Sequence, residues 1–295
     1  MFPNLFQPKR SMQSVPKPEP IYTQPRNRTL SLSPAAPTAT QALTSTMYDF
    51  ANILFSGRCN ARCPFCIGRQ VDPRLNEDTL GRFPPRNLDR LVEMIWQHQI
   101  RKVILTGTNT DPQLYQHEER LLRLLREQIP PGTQLVLHTN GRLALHKMGI
   151  FNQYDRASVS FPSFNLDTYR RMMGVSNPPD LREILRQASI PVKISCVVCD
   201  ANAGEITSFL GICRRLGIQR LVLRKLYGEQ RTWEELLPGE LRLKRVQEYR
   251  GNPVFSDQGM EVTFWAFEQT ESTSINLFSN GLISGQYLLT GAKVG

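Results

Sequence analysis

Residues 48–68 read YDFANILFSGRCNARCPFCIG, an apolar run followed directly by three closely spaced cysteines. The apolar run has the length and composition of a buried strand. The three cysteines fall within eight positions and are Cys59, Cys63 and Cys66. The next His or Cys along the chain is His98, inside a predicted helix. Three thiols therefore occupy a loop at the end of the first predicted strand, without a fourth ligand in the same stretch.

Strand-like and helix-like patterns alternate along the chain after this loop. Stretches 87–100, 118–129 and 205–217 carry apolar residues at helical spacing. Between them lie β-branched or Leu-rich runs, RKVILTG (101–107), TQLVLHTNG (133–141), RASVSFP (156–162), PVKISCVVC (191–199) and IQRLVLRKL (218–226). Alternation of this kind predicts a parallel sheet with crossover helices. A full eight-unit barrel needs roughly 250 residues, so the roughly 180 available predict an α/β, partial (β/α)₆ barrel with ligands at the carboxyl ends of its strands.

The two ends of the chain differ from this pattern. Residues 1–47 are rich in Pro, Ser and Thr and predict a disordered tail. The same composition fits an organellar transit peptide, but no clear amphipathic Arg helix is present, and we favour an untargeted tail. We assign 48–240 to the barrel and 241–295 to a C-terminal β-hairpin extension with a turn at SNG.

Composition limits the classes of protein to which this chain can belong. It has 295 residues, 40% of them hydrophobic, which is enough for a folded core. No apolar run reaches the roughly 18 residues of a membrane span, and an export signal is not apparent. Six cysteines in so long a chain indicate a reducing compartment, so we predict a cytoplasmic location. The net charge of +10 suggests an anionic partner such as a nucleotide, an acidic peptide or a nucleic acid.

The three cysteines are best explained by an iron–sulfur cluster. A structural zinc site, the obvious rival, has four Cys or His ligands, which are usually arranged as two spaced pairs. A [4Fe-4S] cube held by three thiolates instead leaves one iron free to bind a small molecule. Phe65, just before the third cysteine, is then expected to shield the cluster from water.

The spacing Cys-x-x-x-Cys-x-aromatic-Cys after strand one resembles the radical S-adenosylmethionine (SAM) superfamily. The resemblance covers roughly residues 48–230. It implies that SAM chelates the unique iron and that reduction cleaves SAM to methionine and a 5′-deoxyadenosyl radical. That radical would abstract a hydrogen atom from the substrate. It also implies a reductant such as flavodoxin or ferredoxin.

Other positions match the superfamily one at a time. Strand two ends in LTGTNTDP, where a Gly-Gly-Glu-like edge usually receives the SAM amino group. The acid is absent there, and the residues at the corresponding place are Thr106, Gly107 and Thr108. Asp111 has two interpretations, as a substitute for that acid or as a turn residue before Pro112.

The third and fourth strands resemble relatives of the molybdenum-cofactor GTP cyclase. Strand three ends in HTNG, which would put Thr139 and Asn140 beside the cluster and SAM, although Asn-Gly is also a common turn pair. In strand four, Ser158 or Ser160 would bind the SAM ribose, and alternation favours Ser160. The C-terminal hairpin resembles a Twitch or SPASM extension without its cysteines, which implies a single cluster.

Two further groups lie outside the resemblance. Arg224 and Lys225 close strand six, where they are expected to bind a phosphate or carboxylate of the substrate, with a solvated rim as the alternative. Cys196 and Cys199 form a second Cys-x-x-Cys. Because they lie three apart in a predicted strand, their side chains point to opposite faces and do not hold one metal.

The chemistry is better defined than the substrate. We predict a small-molecule substrate, with a nucleotide or biosynthetic intermediate in cofactor or natural-product biosynthesis as the first choice. Modification of a peptide or an RNA is an alternative, although the sequence carries no recognisable RNA-binding module and nucleic acid is not expected as a partner. A non-catalytic iron–sulfur or zinc interaction module is the other alternative.

Overall fold

The structure is a computed structural model that describes residues 48–237, 241 and 243–287. The predicted tail, residues 1–47, lies outside the described residues. Its helices are α1 (Leu88–Gln97), α2 (Glu118–Gln128), α3 (Met148–Phe151), α4 (Leu166–Met173), α5 (Leu181–Gln187), α6 (Ile206–Arg215) and α7 (Trp233–Leu236). Its strands are β1 (Phe50–Phe55), β2 (Lys102–Gly107), β3 (Gln134–Thr139), β4 (Arg156–Ser160), β5 (Val192–Val198), β6 (Arg220–Lys225), β7 (Lys244–Tyr249), β8 (Asn252–Asp257), β9 (Met260–Trp265), β10 (Ser274–Leu277) and β11 (Ile283–Ser284).

All strands belong to one sheet in the order β11-β10-β1-β2-β3-β4-β5-β6-β9-β8-β7. Neighbouring strands from β1 to β6 are parallel and are joined by helical crossovers, as the alternating pattern predicts. The α/β, partial (β/α)₆ barrel is therefore confirmed. The carboxyl ends of its six strands lie at one edge, where the loops that follow them meet.

The C-terminal strands continue this sheet at both of its edges. β9 pairs parallel to β6, and β8 and β7 follow it in antiparallel order. β10 pairs parallel to β1 and forms the predicted hairpin with β11. A hydrogen-bonded edge joins each part to the barrel, so the predicted extension is continuous with the barrel sheet. The boundary at residue 240 stays a prediction.

The sheet curves strongly. In a flat sheet β2 and β6 would lie about 19 Å apart, beyond the roughly 10 Å over which exposed charges interact. Burial lowers the pKa of Lys102 on β2, and the charge of Arg220 on β6 lowers it further. Arg250, in the turn between β7 and β8, also forms an ion pair of 3.0 Å with Asp49 before β1. Strands distant in the sheet order thus approach one another in space.

The two faces of the sheet have different roles. Alternate residues of each strand pack against the helices and form the main core, among them Val103, Leu137 and Leu223. The opposite face, here called the inner face, includes Ser158 and the residues in register with it on β3 and β5, His138 and Lys193. The apolar side chains of one face therefore pack the sheet against the helices. The inner face carries polar groups toward the interior of the barrel.

None of the helices in the described residues has the length and apolar character that crossing a membrane requires.

Candidate active site

The cysteine loop, residues 58–66, follows β1 and lies at the carboxyl edge of the sheet. Its three thiols are free and half-buried. Burial, with smaller contributions from the neighbouring Cys66 and Cys59, raises the pKa of Cys63 to about 12. Burial also raises the pKa of the Cys59 thiol, with a smaller contribution from Cys66. The three sulfurs therefore share one electrostatic environment, as the sequence spacing predicts.

The end of helix α4 holds one side of this loop. The backbone N–H of Arg62 donates to the carbonyl oxygen of Met173 at 2.8 Å. Cys63 Sγ lies 3.7 Å from Met173 Sδ. Gly174 ends the helix in the left-handed conformation, with a φ of 65°. A helix more than 100 residues further along the chain thus positions the central cysteine.

The loop after β2 holds the other side. Cys66 Sγ lies 3.8 Å from the carbonyl oxygen of Thr108. The Thr108 hydroxyl donates to Asn76 Oδ1 at 2.6 Å, which leaves its lone pairs as acceptors, and its contact with SAM stays a prediction. A Cβ on Gly68 would lie 2.2 Å from the Thr108 oxygen, and a Cβ on Gly107 would lie 1.9 Å from the oxygen of Thr110. Only glycine allows these two close approaches of backbone.

We expect Gly68→Ala to disturb the cysteine loop. The added methyl group overlaps the Thr108 carbonyl, so the loop must move away at a cost of about 1–3 kcal/mol. The variant should unfold at lower denaturant concentration and bind less iron during anaerobic reconstitution. Gly149→Ala is the matched control, because a Cβ there has no neighbour within 4 Å. Iron binding equal to that of the wild type in Gly68→Ala would contradict this packing.

Asp111 fixes the end of β3. Its buried carboxylate accepts hydrogen bonds from Thr139 Oγ1 at 2.9 Å and from the N–H groups of Asn140 at 2.6 Å and Gln113 at 3.0 Å. Burial raises the pKa of this carboxyl, and these hydrogen bonds oppose the rise. Of the two interpretations of Asp111, the structure favours the turn residue, because the side chain caps the short helix at Pro112–Leu114.

Asn140 links this strand end to the cysteine loop. Its Nδ2 donates to Asn60 Oδ1 at 2.7 Å, and that oxygen lies 3.8 Å from Cys59 Sγ. Thr139, in contrast, directs its hydroxyl to Asp111 and away from the loop. Asn140 therefore contacts the cysteine loop through Asn60, whereas the Thr139 side chain contacts Asp111. Contact of either residue with SAM stays a prediction.

The remaining predicted ligands lie at the same edge of the sheet. Thr106 is on the inner face near the end of β2, and Ser160 is exposed at the end of β4. Ser158 shares the face of Ser160 but is buried deeper, at 4% exposure. Alternation does not distinguish these two serines, because residues two apart lie on the same face, and it is the position at the end of the strand that makes Ser160 accessible. Contact of Ser160 with the SAM ribose stays a prediction. Phe65 is partly exposed beside Cys66, and its role as a shield of the cluster stays a prediction.

Arg224 and Lys225 do not face the same space. Arg224 is on the inner face, with its guanidinium carbon 5.5 Å from the centre of the Trp265 ring. Lys225 points to the helical side, where its Nζ donates to the carbonyl oxygen of Arg231 and lies 5.4 Å from the centre of the Trp233 ring. Adjacent residues of a strand alternate in direction. The structure therefore does not bring this pair together, and only Arg224 stays a candidate for substrate binding.

The second Cys-x-x-Cys is divided between the core and a loop. Cys196 is fully buried on β5 and, like Cys213 on α6, belongs to the core. Cys199 lies just beyond the end of β5 and is half-buried. All three are free thiols, and Cys196 and Cys213 are used in core packing.

A family model described as the radical SAM superfamily matches residues 53–205, which is 153 of the 295 residues. The chain belongs to the radical SAM superfamily. The match contains all three triad cysteines and ends near the start of α6. The superfamily predicted from the cysteine spacing is confirmed.

Individual radical SAM proteins resemble parts of the chain. The GTP 3′,8-cyclase of Petrotoga mobilis (strain DSM 10674 / SJ95) is 28% identical over 175 residues, which cover 56% of this chain and 51% of the cyclase. The chain thus spans about half the length of this curated relative. Streptococcus suis SuiB bound to its precursor peptide SuiA is 16% identical with a TM-score of 0.50, covering 66% of this chain and 43% of SuiB. SuiB bound to S-adenosylmethionine has a TM-score of 0.48 at 16% identity, with coverage of 61% and 40%. At this identity the first SuiB structure supports the fold alone.

The three free thiols of this radical SAM chain are the ligand type that an iron–sulfur cluster needs. A cube spreads its thiolate ligands over three irons, whereas a single zinc ion needs all of its ligands within about 2.3 Å. Each thiol here has a different neighbour: Asn60, Met173 or the Thr108 carbonyl. In the part of the chain that the structure describes, no group of three or more His, Cys, Asp or Glu is placed to hold one metal ion. The fit to a cluster therefore rests on the three thiols themselves and on their place in one short loop.

Sequence reasoning missed several residues that position the triad. Asn60 lies inside the motif, and Asn109 Oδ1 accepts hydrogen bonds from Ser56 Oγ at 2.8 Å and Gly57 N at 3.2 Å. The signal was that an asparagine follows each of β1, β2 and β3 within a few residues. Lys193 was also missed, although a lysine inside an otherwise apolar strand marks an inner-face position.

Proposed function

We propose that the chain is a radical SAM enzyme that binds one [4Fe-4S] cluster through Cys59, Cys63 and Cys66 and SAM beside it. The observation that carries this proposal is the loop of three free, half-buried thiols at the carboxyl edge of a partial barrel, within the matched superfamily region. When bound, the reduced cluster supplies the electron that cleaves SAM to methionine and a 5′-deoxyadenosyl radical.

Residues of this chain orient the cysteines, offer hydrogen-bond acceptors to SAM and limit the access of water. Asn60 and Met173 contact the cysteines and fix their directions. The backbone carbonyls after β2, together with Thr106, offer acceptors for the amino group of SAM. Ser160 offers an exposed hydroxyl for the ribose. Phe65 limits access of water from the outer side of the loop.

The proposed substrate is a small molecule, and the likeness to a GTP 3′,8-cyclase supports a nucleotide-like one. The net charge of +10 is in keeping with an anionic substrate. We place the reaction in cofactor or natural-product biosynthesis. We also propose a reductant such as flavodoxin or ferredoxin and a reducing, cytoplasmic location. The six free cysteines support the reducing compartment.

Anaerobic reconstitution of the purified chain tests this function. We expect about four iron atoms per chain and 5′-deoxyadenosine release on addition of SAM and dithionite, measured by chromatography and mass spectrometry. GTP and other nucleotides should increase this release if they resemble the substrate. One zinc ion per chain without any deoxyadenosine would overturn the proposal in favour of a non-catalytic module.

A further inference from the structure

The turn between β10 and β11, residues 279–281, lies at the carboxyl edge of the sheet. In the parallel pairing of β10 with β1, Leu277 is opposite Ile53, two residues before β1 ends. Because β10 ends at Leu277, the chain turns level with the last residues of β1, which lead directly into the cysteine loop. The turn that the sequence predicts at SNG therefore lies at the same edge as the three thiols.

Hydrogen bonds join this turn to segment 67–76, which follows the cysteine loop. Ser279 Oγ donates to the carbonyl oxygen of Leu75 at 2.7 Å, and both residues are buried. Asn280 Nδ2 donates to the carbonyl oxygen of Arg74 at 3.2 Å. These partners lie more than 200 positions apart in the chain. The buried contact is specific, because loss of the hydroxyl leaves the Leu75 carbonyl without this donor.

An apolar cluster strengthens the same contact. Leu54, Val71, Leu75 and Phe278 form a buried cluster separate from the main core, and Tyr287 packs against it. Leu54 lies on the inner face, because its neighbours on either side in β1 belong to the main core beneath the helices. Phe278, the residue just before the turn, thus holds two residues of segment 67–76 against the inner face of β1.

Segment 67–76 passes this restraint on to Cys66. Asn76 Nδ2 donates to the carbonyl oxygen of Gly68 at 3.2 Å, and Asn76 Oδ1 accepts from Thr108 Oγ1 at 2.6 Å. The Thr108 carbonyl oxygen lies 3.8 Å from Cys66 Sγ. Asn76 follows Leu75 directly, so the residue held by the turn is the neighbour of the residue that links Gly68 and Thr108. Cys66 is therefore restrained both through its own chain and through the loop after β2.

We infer that Phe278 and Ser279 are positioning residues for Cys66, so that the β10–β11 turn fixes the third thiolate of the cluster, an inference that rests on the proposed function. They act through segment 67–76. The other two thiols have supports of their own, Asn60 beside Cys59 and Met173 beside Cys63. The turn should therefore affect one thiol of the three more than the others.

Site-resolved alkylation of the full chain tests this inference without any metal. The purified protein is treated anaerobically with iodoacetamide before reconstitution, and peptide mass spectrometry gives the reaction rate of each cysteine. We expect Cys66 in Ser279→Ala to react about 10-fold faster than in the wild type, because segment 67–76 opens more often. Cys59 and Cys63 should change by less than about 2-fold. Ser274→Ala is the matched control: it makes the same change at the other end of β10 and should leave all rates unchanged.

Phe278→Leu is the second variant, because it keeps an apolar side chain in the cluster but removes the ring. We expect Cys66 to react roughly 3- to 10-fold faster in this variant, with the same selectivity. The buried Cys196 and Cys213 are internal references, since their rates rise only when the whole fold opens. An equal rise at these two cysteines and at Cys66 would overturn the positioning role in favour of a general contribution to stability.

The reconstituted protein supplies a second measurement. In air, Ser279→Ala should lose its cluster roughly 3- to 10-fold faster than the wild type, followed by the visible absorbance, because a less restrained thiolate releases its iron more readily. Unchanged Cys66 alkylation in both variants, or cluster loss at the wild-type rate, would overturn the inference. A wild type that releases no deoxyadenosine would instead reject the proposed function, whereas the alkylation rates would still judge the effect of the turn on Cys66.

Discussion

Replacing Cys63 with alanine is expected to prevent cluster assembly and to lower 5′-deoxyadenosine release by more than about 100-fold. Two thiolates remain, and two cannot hold a cube whose fourth corner must stay free for SAM. Cys63 lies between the other two cysteines in the sequence, and its sulfur neighbour, Met173 Sδ at 3.7 Å, is a neutral thioether and cannot supply the missing thiolate charge. Iron per chain and deoxyadenosine after anaerobic reconstitution measure the effect. Cys59→Ala and Cys66→Ala should behave in the same way.

Cys199→Ala is the matched control for these variants. Cys199 is also a free, half-buried thiol, and burial raises its pKa as it does for the triad cysteines Cys59 and Cys63. It lies beyond the end of β5 and outside the cysteine loop. Its removal should leave iron content and deoxyadenosine release unchanged. Full activity in any triad variant would reject the cluster, whereas loss of several irons in Cys199→Ala would indicate a second metal site.

The elements that the sequence predicts well are those decided by neighbouring residues. β2 to β6 fall inside the apolar runs, because a strand buried in a parallel sheet needs a short continuous apolar stretch. Helices α1, α2 and α6 follow from apolar residues at helical spacing. The cysteine loop was predictable for the same reason, since all three ligands lie within eight positions.

What the sequence could not reveal depends on residues far apart in the chain. The pairing of β10 with β1 joins segments more than 200 positions apart, and no local pattern specifies this edge. The hydrogen bond from Asn140 to Asn60 spans 80 positions. Lys225 is a different case. Strand alternation alone would have separated it from Arg224, and this rule was applied to the serines of β4 but not to β6.

Asp111 has two interpretations from the sequence, of which the structure favours the turn residue, and Asp111→Asn separates them. The carboxylate accepts hydrogen bonds from Thr139, Asn140 and Gln113. An amide keeps one acceptor but turns an NH₂ group toward donors, and each unsatisfied group costs about 1–3 kcal/mol. We expect a loss of about 3 kcal/mol in the free energy of unfolding, or a fall of roughly 6 to 12 °C in Tm.

The control for this loss is Asp200→Asn, because Asp200 is 82% exposed and paired with Arg231 at 2.7 Å. Exposed ion pairs contribute little, so its free energy of unfolding should change by less than about 1 kcal/mol. SAM affinity then identifies the role of Asp111. If the carboxylate bound the SAM ammonium directly, Asp111→Asn would lose SAM affinity with little change in stability. If it positions Thr139 and Asn140, stability falls first. Asn140→Ala should then weaken SAM binding with the fold intact, because the backbone N–H at position 140 still donates to Asp111.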